Sequence, residues 1–198
     1  MIEKNKYDQH IKLQISKAQR TVGRTIRFKY RREWIYNKMQ ELKITGKSIL
    51  CVGARHYSEV EFFEKRGFKS EGIDLFEADQ IIKCNMSKML EHPYIKNQKY
   101  DIVFCNEVME HCVDLNGFIK GLNKICKKYF ICMGPSSQEK EKIIRYSWWD
   151  PAVHQFMIDS QDIGIYSKNL LETFKDFKII VNESHKNGHR VFFILKKK

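Results

Sequence analysis

Prolines and glycines, which interrupt helices and strands, are scarce in this sequence: there are three prolines and ten glycines among 198 residues. This composition excludes a collagen-like or low-complexity chain, and no internal repeat of fixed period is present. No apolar run approaches the roughly 20 residues that a membrane-spanning helix needs. The first ten residues are charged and lack the apolar stretch of a signal peptide. With a hydrophobic content of 42%, these absences predict a globular protein of the cytoplasm.

The sequence also lacks cysteines at metal-binding spacing. None of its six cysteines forms a Cys-x-x-Cys pair, so the spacing typical of a zinc site is absent and we expect no metal site. Four of the six fall in apolar runs typical of buried strands, which fits a reducing compartment. A catalytic thiol is the weaker interpretation. The cysteines are Cys51, Cys84, Cys105, Cys112, Cys126 and Cys132.

Positive charge is concentrated in the first quarter of the chain. Residues 1–47 hold 13 lysines and arginines against four acidic residues, whereas the remainder holds 23 against 20. We therefore predict a basic, mainly helical N-terminal extension over residues 1–46. Arginines recur there at helical spacing near aromatic side chains. Such a stripe could bind nucleic acid, contact the phosphates of a nucleotide-sugar, or face solvent from a helix packed over the sheet. These arginines are Arg20, Arg24, Arg27 and Arg31.

From residue 47 onward, short apolar runs alternate with helical patterns. This alternation is typical of βαβ crossovers and a mostly parallel sheet. The last two runs are separated only by the five residues 184–188, which contain Asn187-Gly188, so they should pair as an antiparallel hairpin. The fold class predicted is α/β, a Rossmann-like three-layer sandwich with a mostly parallel seven-stranded sheet and an antiparallel C-terminal hairpin. The predicted strands are 48–54, 70–76, 81–86, 100–106, 128–134, 177–183 and 189–196, with helices at 58–68, 115–126 and 167–177.

Polar residues follow the first two strands at a spacing that suits a nucleoside ligand. Gly53 ends the first strand, where a glycine lets the backbone turn and approach a ligand closely. Asp74 lies 21 residues further on, near the separation of about 20 expected for a carboxylate that accepts hydrogen bonds from ribose hydroxyls. An ordinary turn and a solvated aspartate are the alternative interpretations.

The fourth strand runs into Glu107-Val108-Met109-Glu110-His111, followed by Asp114. This stretch resembles the fourth motif of class I S-adenosylmethionine-dependent methyltransferases of the type 11/23 kind. The resemblance covers roughly residues 47–196 and is strongest at 49–75 and 100–114. It implies a methyltransferase domain over residues 47–198 that uses S-adenosylmethionine and releases S-adenosylhomocysteine.

The resemblance also implies which residues contact the cofactor. Gly53 and its neighbours would lie against the methionine part and the ribose, and Asp74 would hold the ribose. Two departures from the family pattern weaken the expected site: Arg55 and Tyr57 replace glycines, and Asn85 stands where an acidic residue is usual. The implied cofactor residues are Val52, Gly53, Ala54, Asp74, Leu75, Asn85, Met86, Asn106 and Glu107.

Methyl transfer from a sulfonium depends mostly on positioning, with a base needed only when the acceptor must lose a proton. His111, Glu110 and His154 are the candidate bases, although His111 could equally support the loop. Trp148 and Trp149 could wall an acceptor pocket, or simply pack against the sheet.

Signatures of several nucleic-acid methyltransferases are absent: there is no Asn/Asp-Pro-Pro-Tyr segment, no Pro-Cys pair and no convincing Lys-Asp-Lys-Glu tetrad. This favours a small molecule or a sugar, such as a glycan precursor, as acceptor. Two alternatives stay open: an RNA-directed methyltransferase that uses the basic N-terminal face, and a non-catalytic binding protein with the methyltransferase fold.

Overall fold

In the computed structural model, the described residues are 12, 16, 25–54, 58–78, 80–109, 112, 114–135, 174–185 and 190–198. Seven strands form one sheet, and they lie close to the predicted runs. The strands are β1 (Ser48–Val52), β2 (Lys69–Asp74), β3 (Ile81–Lys83), β4 (Tyr100–Asn106), β5 (Cys126–Pro135), β6 (Phe177–His185) and β7 (Arg190–Lys197). Their order across the sheet is β3-β2-β1-β4-β5-β7-β6.

The sheet is parallel except for β7. Strands β3, β2, β1, β4 and β5 pair in parallel, whereas β7 pairs antiparallel with both β5 and β6. The predicted fold class and antiparallel hairpin are therefore confirmed. The hairpin does not simply extend the sheet, because β7 inserts between β5 and β6. Side-chain burial explains this order: Phe192 to Leu195 of β7 are fully buried, as an interior strand requires, whereas β6 exposes Lys178 and Ile180 at the edge.

Three described helices cover the sheet: α1 (Thr25–Glu41), α2 (Ser58–Glu64) and α3 (Leu115–Ile125). Helix α3 starts at Asp114, whose Oδ1 accepts a hydrogen bond from the Gly117 N–H at 2.9 Å and so caps the first turn. Alternate side chains of each strand enter separate cores on the two faces, as Leu50 and Ile49 do. Helix α3 covers the core that contains Leu50, whereas α1 and α2 cover the core that contains Ile49. The result is the three-layer arrangement that was predicted.

Helix α1 combines a basic surface with a buried apolar stripe. Ile35 and Met39 are fully buried in the same core as Ile49, and Trp34 packs edge-on against Phe192 with 4.9 Å between ring centroids. The residues of α1 therefore contribute core to the sheet, while the boundary between an extension and the domain stays a prediction. None of the described helices is both long and apolar enough to cross a bilayer.

Candidate functional site

The carboxyl ends of β2, β1 and β4 bring three of the predicted site residues to one level. Val52 of β1 faces Ile73 of β2 on one side and Cys105 of β4 on the other. The residues that follow Val52, Ile73 and Cys105 are Gly53, Asp74 and Asn106, so these three lie side by side at the edge of the sheet. Ligands of open α/β sheets bind beyond this edge, near the point where the strand order reverses.

Gly53 adopts a left-handed conformation with φ of 69°. Its N–H and that of Ala54 both donate to the Ile73 carbonyl, at 2.8 and 3.1 Å, which ties the turn to β2. A Cβ atom on Gly53 would lie 2.2 Å from Cγ2 of Val108. The glycine is therefore required by the backbone turn and by the loop after β4. Arg55 and Tyr57 lie outside the described residues.

Asp74 and Asn85 organise the ends of β2 and β3. The Asp74 Oδ1 accepts a hydrogen bond from the Leu75 N–H at 2.6 Å, and the Asp74 carbonyl accepts one from the Cys84 N–H at 2.7 Å. The Asn85 Oδ1 accepts from the Ser87 N–H at 2.9 Å and caps the short 3-10 helix Met86–Lys88. Because that cap turns the chain, β3 ends at Lys83 and is shorter than the run predicted over 81–86.

Asn106 is a buried polar side chain at the end of β4, with 6% of its surface exposed. Its Nδ2 donates to Oε1 of Glu59 in α2 at 3.2 Å. Its Oδ1 is buried and has no hydrogen-bond partner among the described residues. A buried acceptor without a donor costs free energy of about 1–3 kcal/mol, so this oxygen marks a place where a donor group of a ligand would fit.

Glu107 combines backbone strain with an ion pair. Its φ of 55° is unusual for a residue other than glycine, and its N–H donates to the Met133 carbonyl at 2.8 Å. The Glu107 Oε2 lies 2.8 Å from an Arg31 guanidinium nitrogen, and these side chains are 19% and 18% exposed. Arg31 therefore lies at the carboxyl edge of the sheet, beside the predicted cofactor residues.

The neighbouring Arg32 reaches the start of α2, a contact that the sequence pattern did not indicate. Arg32 is 4% exposed, and its guanidinium donates to the Ser58 hydroxyl at 3.0 Å. Helix α1 thus contacts the loop after β4 through Arg31 and the beginning of α2 through Arg32. Arg32 and Glu59 are functional candidates that no motif identifies, because their roles depend on contacts between distant parts of the chain.

Several predicted site residues cannot be placed. The candidate bases, the two tryptophans and part of the arginine stripe lie outside the described residues, and their roles stay predictions. They are Glu110, His111, His154, Trp148, Trp149, Arg20 and Arg24. Arg27 belongs to α1.

The thiols are poor nucleophiles in this fold. All six cysteines are buried, and none of them forms a disulfide. Burial raises the pKa of Cys84 to about 11 and the pKa values of Cys112 and Cys126 to about 12, and it also raises the pKa of Cys51. Few of these groups are thiolates at neutral pH, which argues against a catalytic thiol among them. Within the part of the chain that is described, no cluster of His, Cys, Asp and Glu is arranged to hold a metal ion.

Solved structures with the same fold are numerous although their sequences differ strongly from this chain. A protein from Pyrococcus horikoshii is 16% identical with a TM-score of 0.62, and the alignment covers 86% of this chain and 91% of that one. A S-adenosylmethionine-dependent methyltransferase from Clostridium acetobutylicum is 12% identical, with a TM-score of 0.59 and coverage of 84% and 90%. The magnesium protoporphyrin IX methyltransferase of Synechocystis, solved with bound S-adenosylhomocysteine, is 12% identical, with a TM-score of 0.54 and coverage of 85% and 83%.

The sequence comparison assigns the family. No curated protein matches the chain significantly. The family model described as a methyltransferase domain matches residues 25–177, which is most of the chain and includes α1 and the whole candidate site. The chain therefore belongs to the methyltransferase-domain family, and the predicted S-adenosylmethionine-dependent methyltransferase class is confirmed at the level of family and fold.

Proposed function

We propose that this protein binds S-adenosylmethionine at the carboxyl edge of β2, β1 and β4 and transfers its methyl group to a small-molecule or sugar acceptor. The observation that carries the proposal is the buried Oδ1 of Asn106, which has no hydrogen-bond partner in the described part of the chain and lies level with Gly53 and Asp74. A nucleoside that carries an amino acid offers hydroxyl and ammonium donors, which are the groups that acceptor oxygens at this edge would bind.

Each residue has a distinct part in the proposal. The Asp74 carboxylate accepts the Leu75 N–H with one oxygen, and a carboxylate offers about four acceptor positions, which suits a pair of ribose hydroxyls. Leu75 and Met86 flank the adenine, with Asn85 nearby. Asn106 and Glu107 lie at the methionine end, with Val52 and Ala54 beside the turn at Gly53. The cofactor supplies an electrophilic methyl group on a sulfonium, so that the protein contributes mainly orientation and exclusion of water.

A small acceptor is favoured over a polymer for two reasons. The sequence lacks the signatures of several nucleic-acid methyltransferases. In addition, neighbours of the same fold are named for small acceptors: magnesium protoporphyrin IX, and 1,6-didemethyltoxoflavin for an enzyme of Burkholderia thailandensis. His111, Glu110 or His154 would act as base where the acceptor must lose a proton, and Trp148 and Trp149 would wall its pocket. Six buried cysteines that form no disulfide support a reducing compartment such as the cytoplasm.

RNA remains the second candidate acceptor because of the arginine stripe. The contact between Arg31 and Glu107 brings the end of that stripe to the proposed cofactor site. A non-catalytic binding role is the third candidate, and it would require that the altered glycine loop no longer holds the cofactor.

Calorimetric titration with S-adenosylmethionine and S-adenosylhomocysteine tests the proposal. We expect Asp74→Asn to weaken binding by about 10- to 100-fold, because charge-assisted hydrogen bonds contribute about 1.5–3 kcal/mol. Glu77→Gln is the matched control, since Glu77 is an exposed carboxylate just beyond β2, and it should bind like the wild type. Equal binding by the Asp74 variant would refute the assigned site. No binding by folded wild-type protein would favour the non-catalytic role. With binding established, nucleotide-sugars and short RNAs are the first acceptors to compare.

A further inference from the structure

Nine lysines gather at the amino-terminal edge of the sheet, at the opposite end of the strands from the candidate cofactor site. Strands β4, β5 and β6 begin at this edge, and β7 and α3 end there. Lys178 of β6 faces Lys196 of β7, which in turn faces Tyr129 of β5. We define the lysine edge as Lys99, Lys124, Lys127, Lys128, Lys175, Lys178, Lys196, Lys197 and Lys198.

Several of these ammonium groups are held by backbone carbonyls. Lys99 donates to the Lys124 carbonyl, and Lys197 donates to the carbonyls of Asn123 and Cys126, where α3 ends. Lys198 donates to the Lys175 carbonyl at 2.6 Å. Carbonyl dipoles fix these side chains in place and stabilise a positive charge at a helix C-terminus, but they do not neutralise it.

Among the described residues, acidic partners at this edge are few. The segments 99–101, 123–128, 175–178 and 196–198 contain two acidic residues, Asp101 and Asp176. The Asp101 Oδ1 forms ion pairs with both Lys127 Nζ, at 3.1 Å, and Lys128 Nζ, at 3.5 Å. Lys178 and Lys196 are exposed and directly opposite each other, an arrangement in which like charges destabilise a strand pair. A bound polyanion would offset this repulsion.

We propose that the lysine edge binds the phosphodiester backbone of duplex nucleic acid without reading its sequence. Neighbouring strands lie about 4.8 Å apart, so that β4, β5, β7 and β6 span about 15 Å. Over that length a DNA duplex presents roughly nine phosphate charges. The four segments contain no arginine, the residue that most often forms bidentate contacts with guanine, which fits backbone contact rather than base recognition.

Two other partners fit this edge less well. Lysine is depleted in the cores of protein–protein interfaces, which disfavours an acidic protein. Membrane-binding faces combine basic residues with exposed apolar side chains that enter the bilayer. The large exposed apolar side chains of the described residues lie outside the four segments; they are Tyr30, Leu42, Leu90, Tyr94 and Ile180. The lysine edge is also remote from the candidate site, so that the proposal does not depend on methyl transfer.

Fluorescence anisotropy with labelled duplexes of roughly 20 base pairs, which exceed the length of the edge, tests the proposal. DNA and RNA duplexes of one sequence are titrated at salt concentrations between about 50 and 200 mM. Lys124, Lys178 and Lys196 are changed together to Gln, since no acidic partner of theirs is seen among the described contacts. Lys65, Lys83 and Lys88 changed to Gln give a control with the same loss of charge outside the lysine edge.

The wild type should lose affinity steeply with salt. The affinity of the lysine-edge variant should fall about 40-fold less over this salt range, because the variant lacks three phosphate contacts. The control variant should keep the wild-type salt dependence. The single variant Lys196→Gln should change the loss by about 3-fold and provides a milder test if the triple variant melts early. Binding of either duplex with this dependence supports the proposal, and the comparison shows which one is preferred. Equal effects of the two triple variants, or no binding at low salt, would overturn it. So would phosphatidylserine vesicles that bind through the same lysines and outcompete the duplexes.

Discussion

Gly53 lies directly beneath the side chain of Val108, so that the loop after β4 rests on the backbone that follows β1. Gly53→Ala should therefore carry two costs. A left-handed φ costs a residue with a Cβ about 1–2 kcal/mol, and the clash with Val108 adds about 1–3 kcal/mol. Urea unfolding should show a loss of about 2–5 kcal/mol in the free energy of unfolding.

Gly67 provides the matched control for this substitution. It has a φ of 87°, but a Cβ there would meet nothing within 4 Å. Gly67→Ala should therefore cost only the backbone term of about 1–2 kcal/mol. Adding Val108→Ala to Gly53→Ala should remove the clash. The double variant should then be more stable, by a coupling energy of about 1–3 kcal/mol, than the sum of the two single losses predicts. Equal losses for the two glycine substitutions, with no coupling to Val108, would show that the contact does not matter.

The contact between Gly53 and Val108 illustrates which features the sequence could predict. Strand ends follow from apolar runs and the glycine that ends them, so Gly53, Asp74 and Asn106 could be assigned to one edge before their register was known. The loop that covers Gly53 belongs to another strand, and its approach depends on packing. Asn85 shows the same limit: its side chain caps a 3-10 turn and ends β3 early, although the apolar pattern continues to Met86.

Ion pairs between distant segments were the least predictable features. Arg31 and Glu107 meet because α1 packs across the sheet through Ile35 and Met39. Charge patterning alone placed Arg31 in a basic stripe that could bind nucleic acid, contact phosphates of a nucleotide-sugar or face solvent. The hairpin itself followed from its short connection. The position of β7 between β5 and β6 depended on which strand of the hairpin has the more apolar surface to bury.

Arg31→Ala should weaken binding of S-adenosylhomocysteine. Arg31 holds Glu107 at 2.8 Å, and Glu107 directly follows Asn106 at the proposed methionine end. Loss of a partly buried charged partner costs about 1–2 kcal/mol, which corresponds to a dissociation constant roughly 5- to 30-fold higher in calorimetry. Arg31→Lys should recover part of the affinity, because the charge remains but the planar guanidinium is lost.

Lys38→Ala is the control for Arg31, since Lys38 lies on the same helix and pairs with Glu183 of β6 at 3.3 Å. It should change the dissociation constant less than about 2-fold, because partly exposed pairs contribute below about 1 kcal/mol and β6 is separated from β4 by β5 and β7 in the sheet. Comparable losses in both variants would point to a general effect of α1 on folding. An unchanged affinity for Arg31→Ala would separate the ion pair from cofactor binding.

The native thiols should react slowly with a disulfide reagent at about pH 8, because burial keeps them inaccessible and raises the pKa values of Cys51, Cys84, Cys112 and Cys126. Unfolding in urea should release six reactive thiols, since none of the six is in a disulfide. The measurement is absorbance of the released reagent over time. A thiol that reacts within seconds in the folded protein would contradict the burial and revive a catalytic role for it.

Asp101 should make folding stability dependent on acidic pH. Burial alone would raise the pKa of this carboxyl, but hydrogen bonds from the Lys47 N–H and from Lys127, together with the charges of Lys127 and Lys128, hold its pKa below the ordinary value of 3.8. Because the folded pKa is lower than the unfolded one, the stabilisation is present above pH 3.8 and is lost as pH falls through the folded value. Asp101→Asn should therefore cost about 1–2 kcal/mol at neutral pH, since a hydrogen bond to a charged group contributes about that much.

The difference in the free energy of unfolding between wild type and Asp101→Asn should shrink as the pH of the urea unfolding series is lowered past 3.8. The protonated wild-type carboxyl is then uncharged, like the amide. Glu77→Gln provides the comparison, because this exposed carboxylate should change stability by less than about 0.5 kcal/mol throughout. A loss of unfolding free energy in Asp101→Asn that stays constant with pH would mean that the substitution acts through packing or hydrogen-bond geometry and not through charge. The Lys47 N–H donates to Asp101 Oδ2 at 2.7 Å, a contact that an amide oxygen can still accept. The pH-dependent part of the loss therefore reports the two lysines, which are the members of the lysine edge that Asp101 binds.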